Sequence, residues 1–294
     1  MKPKIIAHGG SRHLGQDEPM RQRAVTDACK EAYEVLLEKS AVDAVEAAIK
    51  AMESSEHLNA GVGSYLQIDG TVRMDAAIMK SDLSAGAVLS IEGVEHPISI
   101  ARRVMETTQH IIISGRLATE FAYCEGFPMY DPRTRPKVEI WLDMMDELRT
   151  KTSYEQIFHV DRYLETGKHQ LGTVGCVAID ASGAIAAGTS TGGLMKNVPG
   201  RVGDSAIIGA GTYCSEHGGV SCTGIGEKIL VLSLAKEVVN YLRYEQGVTA
   251  SEAARHGVEE LKSIKAEGGL ICIDRGGNMG FAYNTEVMTM HYIE

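Results

Sequence analysis

Hydrophobic positions alternate with polar ones in short runs along the chain, and helical spacing appears between these runs. A first strand is predicted at residues 4–7. A helix is predicted over residues 19–39, where apolar side chains recur every three or four positions, at Ala24, Ala28, Ala32, Val35 and Leu36. A second helix follows Ser40, because Ser40 and Asp43 have the spacing of a capping box.

In the rest of the first half, the sequence pattern predicts a hairpin followed by two further strands and two helices. Residues 64–79 alternate and contain Asp69-Gly70, a strong signal for a tight hairpin turn. Residues 85–91 and 110–114 predict further strands, and helices are predicted near 97–107 and 115–124.

The second half repeats this organisation. It predicts strands at residues 173–180, 184–191, 206–214, 219–223, 268–274 and 279–283, of which the first two and the last two form hairpins. One long helix is predicted over residues 227–246, and a capping-box pair of Thr249 and Glu252 begins another that ends near Ile264.

Hairpins in both halves, with helices grouped between them, predict an α+β fold rather than alternating βαβ units. We expect two stacked, mainly antiparallel sheets with a helix layer on each side, a four-layer αββα sandwich. The whole chain, residues 1–294, is expected to form one domain.

The middle of the chain, about residues 131–172, is charged and lacks strand alternation, although residues 139–149 could form a short amphipathic helix. A loop of this length is uncommon in a compact domain. It ends at Gly172-Thr173, which allows two interpretations. Thr173 simply begins a strand, or the segment is a flexible lead-in to a self-cleavage site at which Thr173 becomes a new N-terminus.

Composition excludes several classes of function. The chain has 294 residues and a net charge of −10, with no basic stripe, so we expect no nucleic-acid partner. No apolar run is long enough to span a membrane, and the N-terminus lacks a signal-peptide core. The six cysteines are widely spread and the histidines form no ligand pattern, so we expect no metal site and a cytoplasmic protein with free thiols.

The densest chemistry lies between residues 188 and 228. Arg201 and Asp204 are three positions apart, so on a helical turn they would project to the same side. They could form a surface salt bridge, or they could clamp the carboxylate and the ammonium group of an amino acid. Thr191 and Thr223 stand at predicted strand ends, where they mark turns or supply donors to an oxyanion hole.

Ordered motifs now point to a family. The chain contains HGG, LNAGVGS, MDAAIM, LSAGAV, GTVG, TSTGG, PGRVGDS, GAGTY, SCTGIGE, GGLICID and NTE, in this order between residues 4 and 288. It resembles the plant-type asparaginase and isoaspartyl peptidase family of N-terminal-nucleophile hydrolases. The resemblance implies an enzyme that cleaves the β-amide of L-asparagine and β-aspartyl dipeptides through an acyl-enzyme.

The resemblance implies a role for each matching residue. Self-cleavage between Gly172 and Thr173 would free Thr173 as the nucleophile, leaving subunits of residues 1–172 and 173–294, and Thr191 would hydrogen-bond its hydroxyl. The remaining implied residues bind substrate, line the oxyanion hole or support the site: Arg201 and Asp204 for the α-carboxylate and α-amine, Thr223 and Gly224 for the oxyanion, Gly226 for the carboxylate, and Asn59 for support.

Other properties also come from the resemblance alone. It implies no catalytic cofactor, a structural sodium ion in the loop before Asn59, and a dimer of cleaved units. The chain departs from the usual family pattern at Ser11-Arg12-His13 and at Val287, which concerns the rim of the pocket. A glycosylasparaginase-like hydrolase and an unprocessed amino-acid-binding protein remain as alternatives.

Overall fold

The computed structural model describes residues 1–15, 17–151, 172–195 and 197–294. Within these ranges eleven strands form two sheets. The strands are β1 (Lys4–Arg12), β2 (Met74–Lys80), β3 (Ala85–Ile91), β4 (Ile112–Ser114), β5 (Val174–Ile179), β6 (Ile185–Thr191), β7 (Thr212–Ser215), β8 (Gly218–Gly224), β9 (Gly268–Asp274), β10 (Met279–Tyr283) and β11 (Val287–Ile293).

Eight helices accompany the sheets in the described ranges. They are α1 (Glu18–Glu38), α2 (Ala41–Glu53), α3 (Pro97–Thr107), α4 (Gly115–Cys124), α5 (Arg135–Lys151), α6 (Gly226–Leu232), α7 (Leu234–Tyr244) and α8 (Ala250–Ser263). Both predicted capping boxes form, since Ser40 N donates to Asp43 at 3.1 Å and Thr249 N donates to Glu252 at 2.9 Å. The α+β prediction is confirmed.

The larger sheet has the strand order β11-β1-β5-β6-β2-β3-β4, and the smaller one has the order β10-β9-β8-β7. Neighbouring strands are antiparallel except β3 and β4, which are parallel. One buried cluster contains apolar residues from both sheets, among them Ile6, Val177, Ile271 and Ile273. A second cluster joins the larger sheet to α1–α3, and a third joins the smaller sheet to α6–α8.

The hairpin predicted at Asp69-Gly70 is wrong. A tight turn does form there, because Gly70 N donates to the Gln67 carbonyl at 2.9 Å. The residues before it, however, form no strand. β2 begins only at Met74 and pairs with β3 and β6 on its two edges, so no edge is free for a hairpin partner.

Three other elements differ from the prediction. The helix expected over 227–246 is two helices, because Ser233 adopts a left-handed conformation with φ of +50°. The strand expected over 206–214 is reduced to β7, since the chain before it turns back on the Asp204 carbonyl. β11 was not predicted, and it pairs with β1.

The middle of the chain contains more structure than predicted, because α5 spans Arg135–Lys151 and includes the predicted short helix. Residues 152–171 of the expected pre-cleavage segment lie outside the described residues. In the part of the chain that the structure describes, no helix has the length and apolar character needed to cross a membrane.

Candidate active site

Thr173 directly precedes β5 and is buried, with 7% of its surface exposed. Antiparallel pairing sets Val174 opposite Ser190 on β6, which brings Thr173 beside Thr191 at the end of that strand. The Thr173 hydroxyl donates to Thr191 Oγ1 at 3.4 Å. Thr191 Oγ1 also accepts from Gly193 N at 3.1 Å, so its position is fixed from two sides.

The carbonyl oxygen of Gly172 lies among hydrogen-bond donors. It accepts from Asn59 Nδ2 at 2.8 Å and from Thr191 Oγ1 at 3.3 Å. The Asn59 amide also donates to the Gly193 carbonyl at 2.5 Å, which holds the side chain in place. Donors aimed at a carbonyl oxygen stabilise the negative charge that forms there when a nucleophile attacks.

The HGG segment, residues 8–10, lies within β1 where the pairing with β11 is interrupted by a register shift, and it packs over this peptide. Gly10 has a φ of +109°, and a Cβ built on it would lie 3.0 Å from the Gly172 Cα and 3.2 Å from the Thr173 nitrogen. Only glycine allows both this conformation and this approach. Ser11 N, next along the chain, donates to the hydroxyl of Thr223 at 3.4 Å.

His8, which looks isolated in the sequence, lies against the backbone of Thr173. Its Nε2 is 2.9 Å from the hydroxyl of Ser221. Burial lowers the pKa of His8 to about 3, against a smaller upward effect of the Thr173 backbone. A group with so low a pKa is a poor general base near neutral pH, and the Nε2 of His8 pairs with the Ser221 hydroxyl.

Arg201 and Asp204 do lie in one place, but not on a helical turn as predicted from their spacing, since residues 201–204 are non-helical. They meet at Gly226. A Cβ built there would lie 2.7 Å from Arg201 Nη2 and 2.8 Å from Asp204 Oδ1. Arg201 Nε donates to Glu227 Oε1 at 2.9 Å, so its ion pair is with Glu227.

Of these two residues, Asp204 is the one whose charged form is disfavoured by its surroundings. Burial raises the pKa of its carboxyl to about 7, against the opposing effect of Arg201, while Glu227 and Asp75 raise it further. Its Oδ2 is buried and has no hydrogen-bond partner among the described residues. A buried oxygen of this kind is ready to accept from a ligand's ammonium group.

One narrow cleft connects Thr173 to Arg201 and Asp204. Its lining combines the predicted residues Gly172, Thr173, Thr191, Arg201, Asp204 and Gly224 with Gly193, Leu194, Gly203 and Ser205. Asn59, Thr223 and Gly226 adjoin the cleft through the contacts given above. The site can therefore bind an amino-acid head group within reach of a hydroxyl nucleophile.

Comparison with known proteins agrees with this geometry. A family model described as asparaginase matches residues 1–294. The chain belongs to the asparaginase family. A plant-type L-asparaginase of Pyrococcus horikoshii is 42% identical over 296 residues, covering 99% of this chain and 96% of that protein. A human isoaspartyl peptidase/L-asparaginase is 40% identical over 285 residues, covering 95% and 89%. The resemblance read from the sequence motifs is confirmed.

Three asparaginase-site residues received no role in the sequence analysis. Asp75 on β2 is buried and accepts from Gly203 N at 3.4 Å, so it supports the backbone between Arg201 and Asp204. Glu227 pairs with Arg201, and Gly193 accepts from Asn59. Asp75 and Gly193 lie inside the motifs MDAAIM and TSTGG, but a motif alone does not show which member faces the site.

Proposed function

We propose that this chain is a self-cleaving threonine-nucleophile hydrolase that acts on the β-amide of L-asparagine and on β-aspartyl dipeptides. The observation that carries the proposal is the position of the Thr173 hydroxyl. It stands between its own polarised peptide carbonyl and the cleft that contains Arg201 and Asp204. The printed names of the relatives, L-asparaginase and isoaspartyl peptidase, support the substrate class.

Self-cleavage begins with attack of Thr173 Oγ1 on the Gly172 carbonyl carbon. Asn59 Nδ2 and the Thr191 hydroxyl stabilise the negative charge on the oxygen. The Gly172–Thr173 carbon–nitrogen bond then breaks and the nitrogen takes the proton, which leaves an ester between Gly172 and the Thr173 hydroxyl oxygen. Water hydrolyses this ester to a Gly172 carboxylate and a free N-terminal threonine.

Cleavage is required because it creates the base. In the intact chain the Thr173 nitrogen is an amide, whereas a free α-amine has an ordinary pKa of about 7.7–8.0. That amine removes the hydroxyl proton as Thr173 attacks the β-carbonyl of the substrate. Thr223 and Gly224 stabilise the oxyanion, and Gly226 contacts the substrate carboxylate. The carbon–nitrogen bond of the substrate then breaks, the protonated α-amine gives its proton to the leaving nitrogen, and ammonia or an amino acid departs. Water then releases aspartate from the ester at Thr173.

Arg201→Lys tests the carboxylate half of the clamp. A guanidinium group binds a carboxylate through two parallel bonds, and a lysine cannot reproduce them. We expect kcat/KM to fall about ten- to a hundredfold on both asparagine and a β-aspartyl dipeptide, because loss of one charge-assisted hydrogen bond costs about 1.5–3 kcal/mol. Self-cleavage involves no free α-carboxylate, so the variant should still mature. Wild-type kinetics would instead assign Arg201 to its ion pair with Glu227.

The substrate class is tested by assaying purified, matured protein on three compounds. We expect hydrolysis of L-asparagine and of a β-aspartyl dipeptide. Preferential hydrolysis of a sugar-linked asparagine would favour the glycosylasparaginase-like alternative. An intact band on a denaturing gel, with asparagine raising the melting temperature but never hydrolysed, would favour the amino-acid-binding alternative.

We also propose a layer arrangement, an oligomeric state and a cellular location for this protein. The three buried clusters support a four-layer αββα arrangement with helices outside both sheets. The family resemblance supports a dimer of cleaved units, each of residues 1–172 and 173–294. The six free cysteines support a cytoplasmic location.

We also propose that the loop before Asn59 holds the structural sodium ion, and its backbone fits that role. A Cβ built at Gly63 would collide with the Leu58 carbonyl oxygen and lie 2.7 Å from the Ser55 carbonyl oxygen. Carbonyl oxygens are ligands that hard cations prefer. These residues would hold the ion, which would take no part in the chemistry.

Exchange of sodium for choline at constant ionic strength tests this site. Because an ion that binds only the folded state stabilises it, we expect a higher melting temperature in sodium chloride than in choline chloride. The difference should disappear in Gly63→Ala, because its methyl group would collide with the Leu58 carbonyl oxygen and force these carbonyls to shift. Equal melting temperatures of the wild-type protein in the two salts would argue against the site.

A further inference from the structure

One face of α5 lies on the loop of residues 64–70. Lys137, Trp141 and Met144 are four and three positions apart, so they project from the same side of the helix. Lys137 Nζ lies 3.8 Å from the centre of the Tyr65 ring. Trp141 Nε1 donates to the Ile68 carbonyl at 3.4 Å, and its ring lies 3.2 Å from a Cβ built at Gly70.

These contacts bury α5 side chains that would otherwise be exposed. Met144 has 4% of its surface exposed, and Trp141 packs against the cluster around the larger sheet. Burial lowers the pKa of Lys137 to about 8, aided by the cations Arg21 and Arg12. A cation held over an aromatic ring in such surroundings stabilises the pair more than it does in water. The helix is therefore fixed on this loop at two points.

The same loop determines how the Asn59 side chain is oriented. Tyr65 N donates to Asn59 Oδ1 at 3.2 Å, which turns Asn59 Nδ2 towards the Gly172 carbonyl at 2.8 Å. If the carboxamide rotated by half a turn, its oxygen would face the carbonyls of Gly172 and Gly193, and its NH₂ group would face the Tyr65 N–H. The Tyr65 N–H therefore selects the orientation in which Asn59 polarises the scissile peptide.

We propose that α5 is a positioning element for self-cleavage. Lys137 holds Tyr65 and Trp141 holds the same loop at Ile68 and Gly70, so that the Tyr65 N–H orients Asn59 at the Gly172 carbonyl. This inference rests on the self-cleavage proposed above. It gives a role to a helix that precedes the cleavage site in the chain and that, among the described residues, contributes none to the lining of the cleft. Maturation then depends on docking of α5, so the chain cleaves itself only after this part of it has folded.

The test compares maturation rates of four variants of the full chain. Lys137→Ala and Trp141→Ala each remove one contact with the loop. Lys137→Arg keeps a cation for the Tyr65 ring, and Leu142→Ala alters a side chain of the same helix that is 51% exposed. The fraction cleaved is followed on denaturing gels at a temperature at which circular dichroism shows every variant to be folded.

We expect Lys137→Ala to mature about two- to thirtyfold more slowly, the range that corresponds to the loss of one cation–π contact. Trp141→Ala should mature about two- to tenfold more slowly, because it loses its hydrogen bond to the loop. Lys137→Arg and Leu142→Ala should mature at the wild-type rate. If the role of α5 were purely structural, the alanine variants would melt at lower temperatures but would mature at the wild-type rate while folded. That result would overturn this inference and leave the proposed self-cleavage standing. A wild-type chain that never cleaves would overturn the proposed self-cleavage, and this inference with it.

Discussion

Thr173→Ala should leave one uncleaved chain of 31.7 kDa with no measurable hydrolase activity. The variant lacks the oxygen that attacks the Gly172 carbonyl, so the peptide remains intact and no α-amine is released. It also lacks the nucleophile for the substrate, so both reactions fail for the same reason. A denaturing gel and an ammonia-release assay measure the two effects.

Thr173→Ser is the matched control because it keeps the hydroxyl. It should still produce two fragments, the second of which begins at residue 173, as N-terminal sequencing would show. Cleavage of Thr173→Ala at the same bond would mean that another group attacks Gly172. An active wild-type sample with no new N-terminus would mean that hydrolysis does not use a free α-amine of Thr173 as its base.

Asp204→Asn should change activity and stability in opposite directions. The ammonium group of the substrate loses the one carboxylate that the described residues place in the lining of the cleft. We therefore expect kcat/KM to fall about a hundredfold, the upper range for a charge-assisted hydrogen bond. The empty enzyme should become more stable above pH 7, because the variant no longer holds a buried carboxylate without a hydrogen-bond partner for Oδ2.

The stability change follows from the raised pKa. An unfolded aspartate ionises near its ordinary pKa of 3.8, whereas Asp204 in the folded protein has a pKa of about 7. Between these two values the folded state binds more protons than the unfolded state, so the stability of the wild type falls as pH rises. Asparagine does not titrate, so the advantage of the variant should be absent near pH 4 and complete above pH 7.

Melting curves at pH 5 and pH 8 measure this difference. Each kcal/mol gained should raise the melting temperature by about 2–4 °C in a domain of this size. Asp75→Asn is the contrasting variant, because Asp75 is also buried but accepts from Ser90 N at 2.7 Å and from Gly203 N at 3.4 Å. It should gain less. An Asp204→Asn enzyme that is less stable at pH 8 would show that the carboxylate is satisfied in the folded state.

The sequence predicted correctly those caps and turns that are formed by residues close together in the chain. The capping boxes at Ser40 and Thr249 form, and the hairpin of β5 and β6 turns where Asp180 accepts from Ser182 N at 2.9 Å. The break at Ser233 could not be predicted in this way. There the first free N–H groups of α7 donate to the carbonyls of Gly209 and Ala210, a contact between segments far apart in the chain.

The candidate site shows the same division. Motifs indicated Thr173, Thr191, Arg201 and Asp204, and the structure brings these into one cleft. Motifs could not show that Gly226, on another element, brings Arg201 and Asp204 together, or that Asp75 supports the backbone between them. Such roles depend on strand order and on close backbone approach, which spacing along the chain does not encode.

The strand order of the larger sheet has a consequence for refolding after the proposed self-cleavage between Gly172 and Thr173. β1 belongs to the first fragment, yet it pairs with β11 and β5, both of the second fragment, while β6 of the second pairs with β2 of the first. Neither fragment can therefore leave without breaking ladders inside the sheet. Before cleavage, folding is a reaction of one molecule. After cleavage, a denatured enzyme must bring two chains together, so the yield of renaturation depends on concentration, and cleavage makes the first folding event difficult to repeat.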